Sequence, residues 1–106
     1  MITRIVKLEF REDKIEEFIS FFDTIKNVVN DFPGCNGMIL YNDLNKRSAV
    51  MTYSQWDSQD SLNAYRNSEA FGEIWPKIKP WFNKKPEAWT LYSHFDGFKT
   101  EHIHGH

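Results

Sequence analysis

The run Asp31-Phe32-Pro33-Gly34-Cys35-Asn36-Gly37 constrains the fold of this chain more than any other segment. Before it, Ile15, Phe18, Ile19, Phe22, Ile25, Val29 and Phe32 recur at spacings of three and four, the period of a helix with one buried face. Pro33 disfavours helical geometry at Phe32, and Gly34 accepts the positive φ that ends a helix. After the run, Met38-Ile39-Leu40-Tyr41 reads as a strand. The spacing thus predicts a helix over residues 13–31 that turns sharply into a strand over 36–42. Glu16 and Glu17 stand in the first turns, where carboxylates meet the positive end of the helix dipole.

The remaining elements follow from alternation and turn chemistry. Residues 2–10 read as a strand in which Ile2, Val6, Leu8 and Phe10 share one face, with Arg4 interrupting it. Arg11-Glu12-Asp13 forms the turn into the helix. A third strand over 47–56 follows the hairpin segment Asn42-Asp43-Leu44-Asn45-Lys46. Tyr53-Ser54-Gln55-Trp56-Asp57-Ser58 closes it, and Asp57 or Ser58 can cap a second helix over 58–67. Ser68 restarts a helical segment through Trp75, which Pro76 and Pro80 then kink or end. A fourth strand spans 87–95. The order β-α-β-β-α-β predicts an α+β fold: the ferredoxin-like split β-α-β arrangement, an antiparallel sheet with helices on one face. One domain covers residues 1–95, and a polar tail covers 96–106.

Both faces of that sheet carry large apolar groups. Met38 and Leu40 oppose Ile39 and Tyr41; Met51 and Tyr53 oppose Val50 and Trp56; Trp89, Leu91 and Phe95 oppose Tyr92 and His94. The helices can cover one face only. A second copy of the same sheet is the simplest cover for the other, which predicts an isologous homodimer.

Composition narrows the partners. Aromatic residues make up 16% of the 106-residue chain, enough to require a large core, an aromatic pocket or a subunit interface. The net charge of -2 and the absence of a basic block argue against a nucleic-acid partner. No apolar stretch reaches the length of a membrane span, and the alternating N-terminus lacks the apolar core of a signal peptide. The single cysteine, Cys35, has no partner for an internal disulfide. A cytoplasmic protein is the default expectation. No Gly-rich phosphate loop or nucleophile elbow is present.

Phe32-Pro33-Gly34-Cys35, Trp56-Asp57-Ser58, Leu62-Asn63-Ala64-Tyr65, Ser68 with Phe71, and Ile78-Lys79-Pro80-Trp81-Phe82 together give the chain a clear likeness. Over about residues 2–95 it resembles the antibiotic biosynthesis monooxygenase (ABM) family of dimeric α+β barrels. These segments mark turns, caps and core positions, so they specify a fold and carry no catalytic signature. The resemblance implies a dimer with one pocket per subunit between helices and sheet. It implies cofactor-independent oxidation of a phenolic or quinol-type aromatic by dioxygen, with neither flavin nor metal. A related branch degrades haem with a histidine ligand on the second helical segment. Here no histidine precedes His94, and Trp75 or a neighbour stands at the ligand position, so haem is not expected.

Candidate residues follow from that reading. His94, beside Tyr92, is the candidate general base for a phenol. Tyr65 stands where many family members have a histidine and can donate a hydrogen bond to a substrate oxygen; Arg66 can stabilise a phenolate. Trp75 is a stacking surface in the helix that roofs the pocket, whereas Trp81 and Trp89 read as core or interface residues. Asn36, Tyr41 and Tyr53 are candidate pocket donors. The terminal His102-Ile103-His104-Gly105-His106 reads as a flexible end, not a metal site. The alternative to an enzyme is a non-catalytic dimeric module that binds a small apolar ligand or serves a stress response.

Overall fold

A computed structural model describes residues 1–99. The expected order is present: strand β1 (Ile2–Glu9), helix α1 (Ile15–Asn30), strands β2 (Cys35–Asn42) and β3 (Ala49–Trp56), helices α2 (Gln59–Arg66) and α3 (Glu69–Ile78), and strand β4 (Glu87–Leu91). A short 3-10 turn, Lys79–Trp81, extends α3. The four strands form one antiparallel sheet in the order β2-β3-β1-β4. The fold is therefore α+β and ferredoxin-like, with the helices on one side of the sheet.

The turn after α1 does more than reverse the chain. Gly34 has φ +88°, and a Cβ there would meet the Cβ and Oγ of Ser61 at 2.5 Å. The missing side chain lets the turn lie against the first turn of α2. The Asp57 amide donates to the Gly34 carbonyl at 2.8 Å, which fixes the approach to that helix. Ser58 then caps α2 and Ser68 caps α3, each accepting a backbone N–H through its side chain.

Two boundaries differ from the sequence reading. α3 runs through Pro76 to Ile78. A proline there removes one backbone donor, and the neighbouring turns carry the helix onward. β4 stops at Leu91 where 95 was expected, because its only partner is β1. Leu91 pairs with Thr3, the last pair in that register.

Register sets the two faces of the sheet. Toward the helices, one row holds Met38, Ser54, Arg4 and Thr90, and the next holds Leu40, Thr52, Val6 and Ala88. Farther along, Leu8 and Val50 join Phe10, Ile15, Phe18 and Ile78 in the buried core. Phe10 stacks on Phe18 with ring centroids 4.2 Å apart. On the opposite face, Ile39, Tyr53, Ile5 and Trp89 form a row across all four strands. Ile39 is 45% exposed and Trp89 41%, and Tyr41, Met51 and Leu91 beside them are exposed too. Full burial of such side chains is worth about 1.5–3 kcal/mol each, and covering the part still exposed is worth a fraction of that, so the face offers a contiguous apolar surface for a partner.

At the start of the core, Glu9 is buried yet fully satisfied. It accepts a hydrogen bond from the Asn83 side chain at 2.8 Å and faces Lys46 at 3.2 Å. The Asn83 hydrogen bond, and then Lys46, hold its carboxyl below the usual range. This clamp ties β1 to the segment that leads into β4.

Candidate functional site

Core packing fills the space between sheet and helices at one end only. At the other, a cavity of about 420 Å³ remains open, within the size range of small-molecule sites. Arg4, Val6, Met38, Thr52, Ser54 and Ala88 of the two helix-facing sheet rows, with Leu8 and Trp56, make its floor. Phe18, Phe22, Ile25 and Val29 of α1 form one wall. Leu62, Tyr65 and Arg66 of α2, with Phe71, Ile74 and Trp75 of α3, form the other. Lys85 and Pro86, just before β4, complete the lining.

The wall is an unbroken series of rings. Trp56 stacks on Tyr65 at 5.2 Å, Tyr65 meets Phe71 edge-on at 5.3 Å, and Phe71 stacks on Trp75 at 5.7 Å. Trp75 then contacts Phe82 at 5.4 Å, and Phe82 leads through Phe10 into the core. Rings locked against one another in this way hold a flat, apolar wall with little freedom to collapse inward.

Polar groups are few and concentrated. The Trp56 indole N–H donates to Ser54 Oγ at 2.9 Å, which satisfies a buried pair. Tyr65 is different: among the described residues its hydroxyl has no hydrogen-bond partner. Burial, and secondarily the nearby Cys35, push its pKa up to about 12, so at neutral pH it is a phenol and a donor. Arg4 is half-buried on the floor and donates through Nη1 to Thr90 Oγ1 at 2.7 Å. Burial, and then the like charge of Arg66, lower its pKa from the ordinary value. Arg66 and Lys85 are exposed and stand at the rim.

The candidate residues separate into groups. Tyr65, Arg66 and Trp75 meet at the cavity. Tyr41 and Tyr53 lie on the opposite face of the sheet, because they alternate with the inward Leu40 and Thr52; Tyr53 Oη accepts from Gln55 there. Asn36 is engaged in structure, donating to Asp57 Oδ1 at 2.8 Å across the ends of β2 and β3. His94 is exposed beyond the end of β4 and does not line the cavity, since the strand that was expected to aim it ends three residues earlier. Trp81 packs edge-on against Phe21, and Trp89 belongs to the outer sheet face. His102 to His106 lie outside the described residues. Arg4 is the residue that sequence reasoning passed over. Its signal was present: a guanidinium at an inward position of an otherwise apolar strand face.

Fold and cavity define a class: a small ferredoxin-like domain with a ring-lined cavity between its helices and its sheet. The sequence profile of the family "Antibiotic biosynthesis monooxygenase" matches residues 1–76, and the chain belongs to that family. No curated protein matches the sequence significantly. Among similar solved structures is a conserved protein from Methanosarcina mazei Go1, 21% identical, with a TM-score of 0.81, covering 88% of this chain and 93% of that one. A Nitrosomonas europaea protein provisionally described as an antibiotic biosynthesis monooxygenase is 13% identical, with a TM-score of 0.82, covering 90% of this chain and all (100%) of that one. A Mycobacterium tuberculosis protein is 13% identical with a TM-score of 0.82, covering 92% and 98%. At these identities the likeness is one of fold. Among the described residues no helix is long and apolar enough to cross a membrane, and no cluster of histidine, cysteine or carboxylate side chains could hold a metal ion.

Proposed function

We propose that the chain is a monooxygenase that oxidises a flat phenolic or quinol-type aromatic with dioxygen, working as a homodimer with one cavity per subunit. The observation that carries this reading is the unpartnered Tyr65 hydroxyl set in a ring-lined cavity that stays open. A cavity filled by its own Trp and Phe side chains would instead have favoured a passive binding module. Family membership supports the reaction class, and the apolar row Ile39, Tyr53, Ile5 and Trp89 supports pairing through the sheets.

The chemistry follows from the placement of charge. A phenol in the cavity loses its proton more readily because Arg66 and Arg4 stabilise the anion, and Tyr65 donates a hydrogen bond to it. The phenol's proton passes to water at the open mouth of the cavity and is returned to the peroxide oxygen formed in the next step, so His94, which lies outside the lining, is not assigned the task. The electron-rich ring then reduces dioxygen, forming a carbon–oxygen bond at the position para to the oxygen and a ring hydroperoxide. Cleavage of the O–O bond releases water and leaves a quinone carbonyl. For 1-naphthol, one molecule of dioxygen gives one 1,4-naphthoquinone and one water, with one oxygen atom in each product. The protein orients the ring and excludes solvent, and the reaction needs no added flavin or metal.

The test is oxygen consumption by the purified full chain with 1-naphthol and 1-hydroxy-2-naphthoate, against the uncatalysed rate. The expected result is substrate-dependent uptake that falls at least about tenfold in Tyr65→Phe and is unchanged in His94→Ala. Uptake no faster than background with every phenol tested would leave the binding module as the better account.

A further inference from the structure

Among the charged residues that line the cavity there are three cations and no carboxylate: Arg4, Arg66 and Lys85. None of them takes part in an ion pair among the described residues, although several surface lysines and arginines do. Arg4 is the most telling. It sits half-buried between β3 and β4, and its charge is repelled by Arg66. A guanidinium offers five N–H donors. The Thr90 hydroxyl accepts from Nη1, and no other side chain among the described residues accepts from the group. Partly desolvating one guanidinium beside another is unfavourable unless an anion joins them. Everything else around them is ring or hydrocarbon, apart from the hydroxyls of Thr52, Ser54 and Tyr65.

We infer that Arg4 and Arg66 form an anion anchor, and that the ligand of this cavity is a flat aromatic carrying a carboxylate. The inference rests on the proposed aromatic-ligand reading and narrows it. Planar guanidinium groups match the two oxygens of a carboxylate. A single carboxylate at one end of an apolar slot leaves the ring system against Trp56, Tyr65, Phe71 and Trp75. Arg4 holds the acid at the floor, Arg66 approaches it from α2, and Lys85 adds to the positive potential at the rim. Neutral aromatics of the same size fill the rings and give the guanidinium groups an anionic partner only once a phenol has lost its proton.

Titration calorimetry on the full chain tests this with 1-hydroxy-2-naphthoate, its methyl ester, 1-naphthol and 1-naphthyl phosphate. The acid is expected to bind at least about tenfold more tightly than the ester or 1-naphthol. Arg4→Gln is expected to abolish that preference while leaving the neutral ligands within about twofold, and Arg4→Lys to retain part of it. Arg66→Gln, on an exposed helix position, is expected to weaken the acid selectively and serves where Arg4→Gln does not fold. Equal binding of acid and ester, a preference that survives both substitutions, or no binding of any ligand would overturn the anchor. Tighter binding of the phosphate than of the naphthoate would overturn the carboxylate assignment. The two proposals fail separately: selective acid binding without oxygen uptake removes the oxygenase and keeps the anchor, whereas uptake with indifference to the carboxylate does the reverse.

Discussion

Tyr65 is held by its ring and left free at its oxygen. Trp56 stacks on it, Phe32 and Phe71 meet it edge-on, and its hydroxyl has no partner among the described residues. A group placed in that way costs stability or contributes nothing to it until a ligand arrives. Tyr65→Phe is therefore expected to change unfolding free energy by less than about 1 kcal/mol, because no hydrogen bond is lost. The pH dependence is specific as well. The buried phenol has its pKa raised from 10.0 to about 12, so the unfolded chain releases this proton before the native one does. Titration of this group leaves stability unchanged below pH 10.0 and lowers it as pH rises toward about 12. A denaturant series over that range should show a steeper alkaline loss for the parent than for Tyr65→Phe. An identical alkaline decline in both would contradict the burial assigned to this side chain.

At the scale of elements, the sheet presents two faces with different work to do. One floors the cavity, and the other carries the exposed row from Ile39 to Trp89. The pairing proposed for that row predicts that Trp89→Glu, combined with Ile39→Lys, shifts the chain from dimer to monomer in sedimentation analysis. A pair of charges costs several kcal/mol when buried against apolar side chains. A variant that remains dimeric at the same concentrations would place the interface elsewhere.

The same elements explain what could be read in advance. Tyr65, Arg66 and Trp75 line the cavity as the family resemblance implied; helical period alone would not have set the adjacent Tyr65 and Arg66 there together. The face assignments of β2 and β3 followed from alternation, because one step along a strand reverses every side chain. His94 escaped prediction because alternation says nothing about where a strand stops. β4 ends at the Leu91–Thr3 pair, and that is a property of register between distant segments. Tyr41 and Tyr53 were legible as outward-facing, but their hydroxyls drew the reading toward a pocket that lies on the other side of the sheet. Arg4 was legible as an exception to its strand, although only the cavity gives that exception a meaning.

For the molecule as a whole, a packed core and an open cavity share the layer between sheet and helices. Phe10 and Val50 close one end, Phe18 and Ile78 pack there and also line the cavity, and the Glu9 clamp secures it. At the other end the missing side chain of Gly34 seats α2 beside the turn after α1, and the ring series from Trp56 to Trp75 walls the cavity. An aromatic acid bound there would bridge sheet, α1 and α3. The most direct test is a crystal structure of the full chain with 1-hydroxy-2-naphthoate. The account predicts the naphthalene ring against Tyr65, Phe71 and Trp75, the hydroxyl within hydrogen-bonding distance of Tyr65 Oη, and the carboxylate between Arg4 and Arg66. A ligand lodged on the outer sheet face, or one lying in the cavity with its carboxylate turned away from both guanidinium groups, would contradict it.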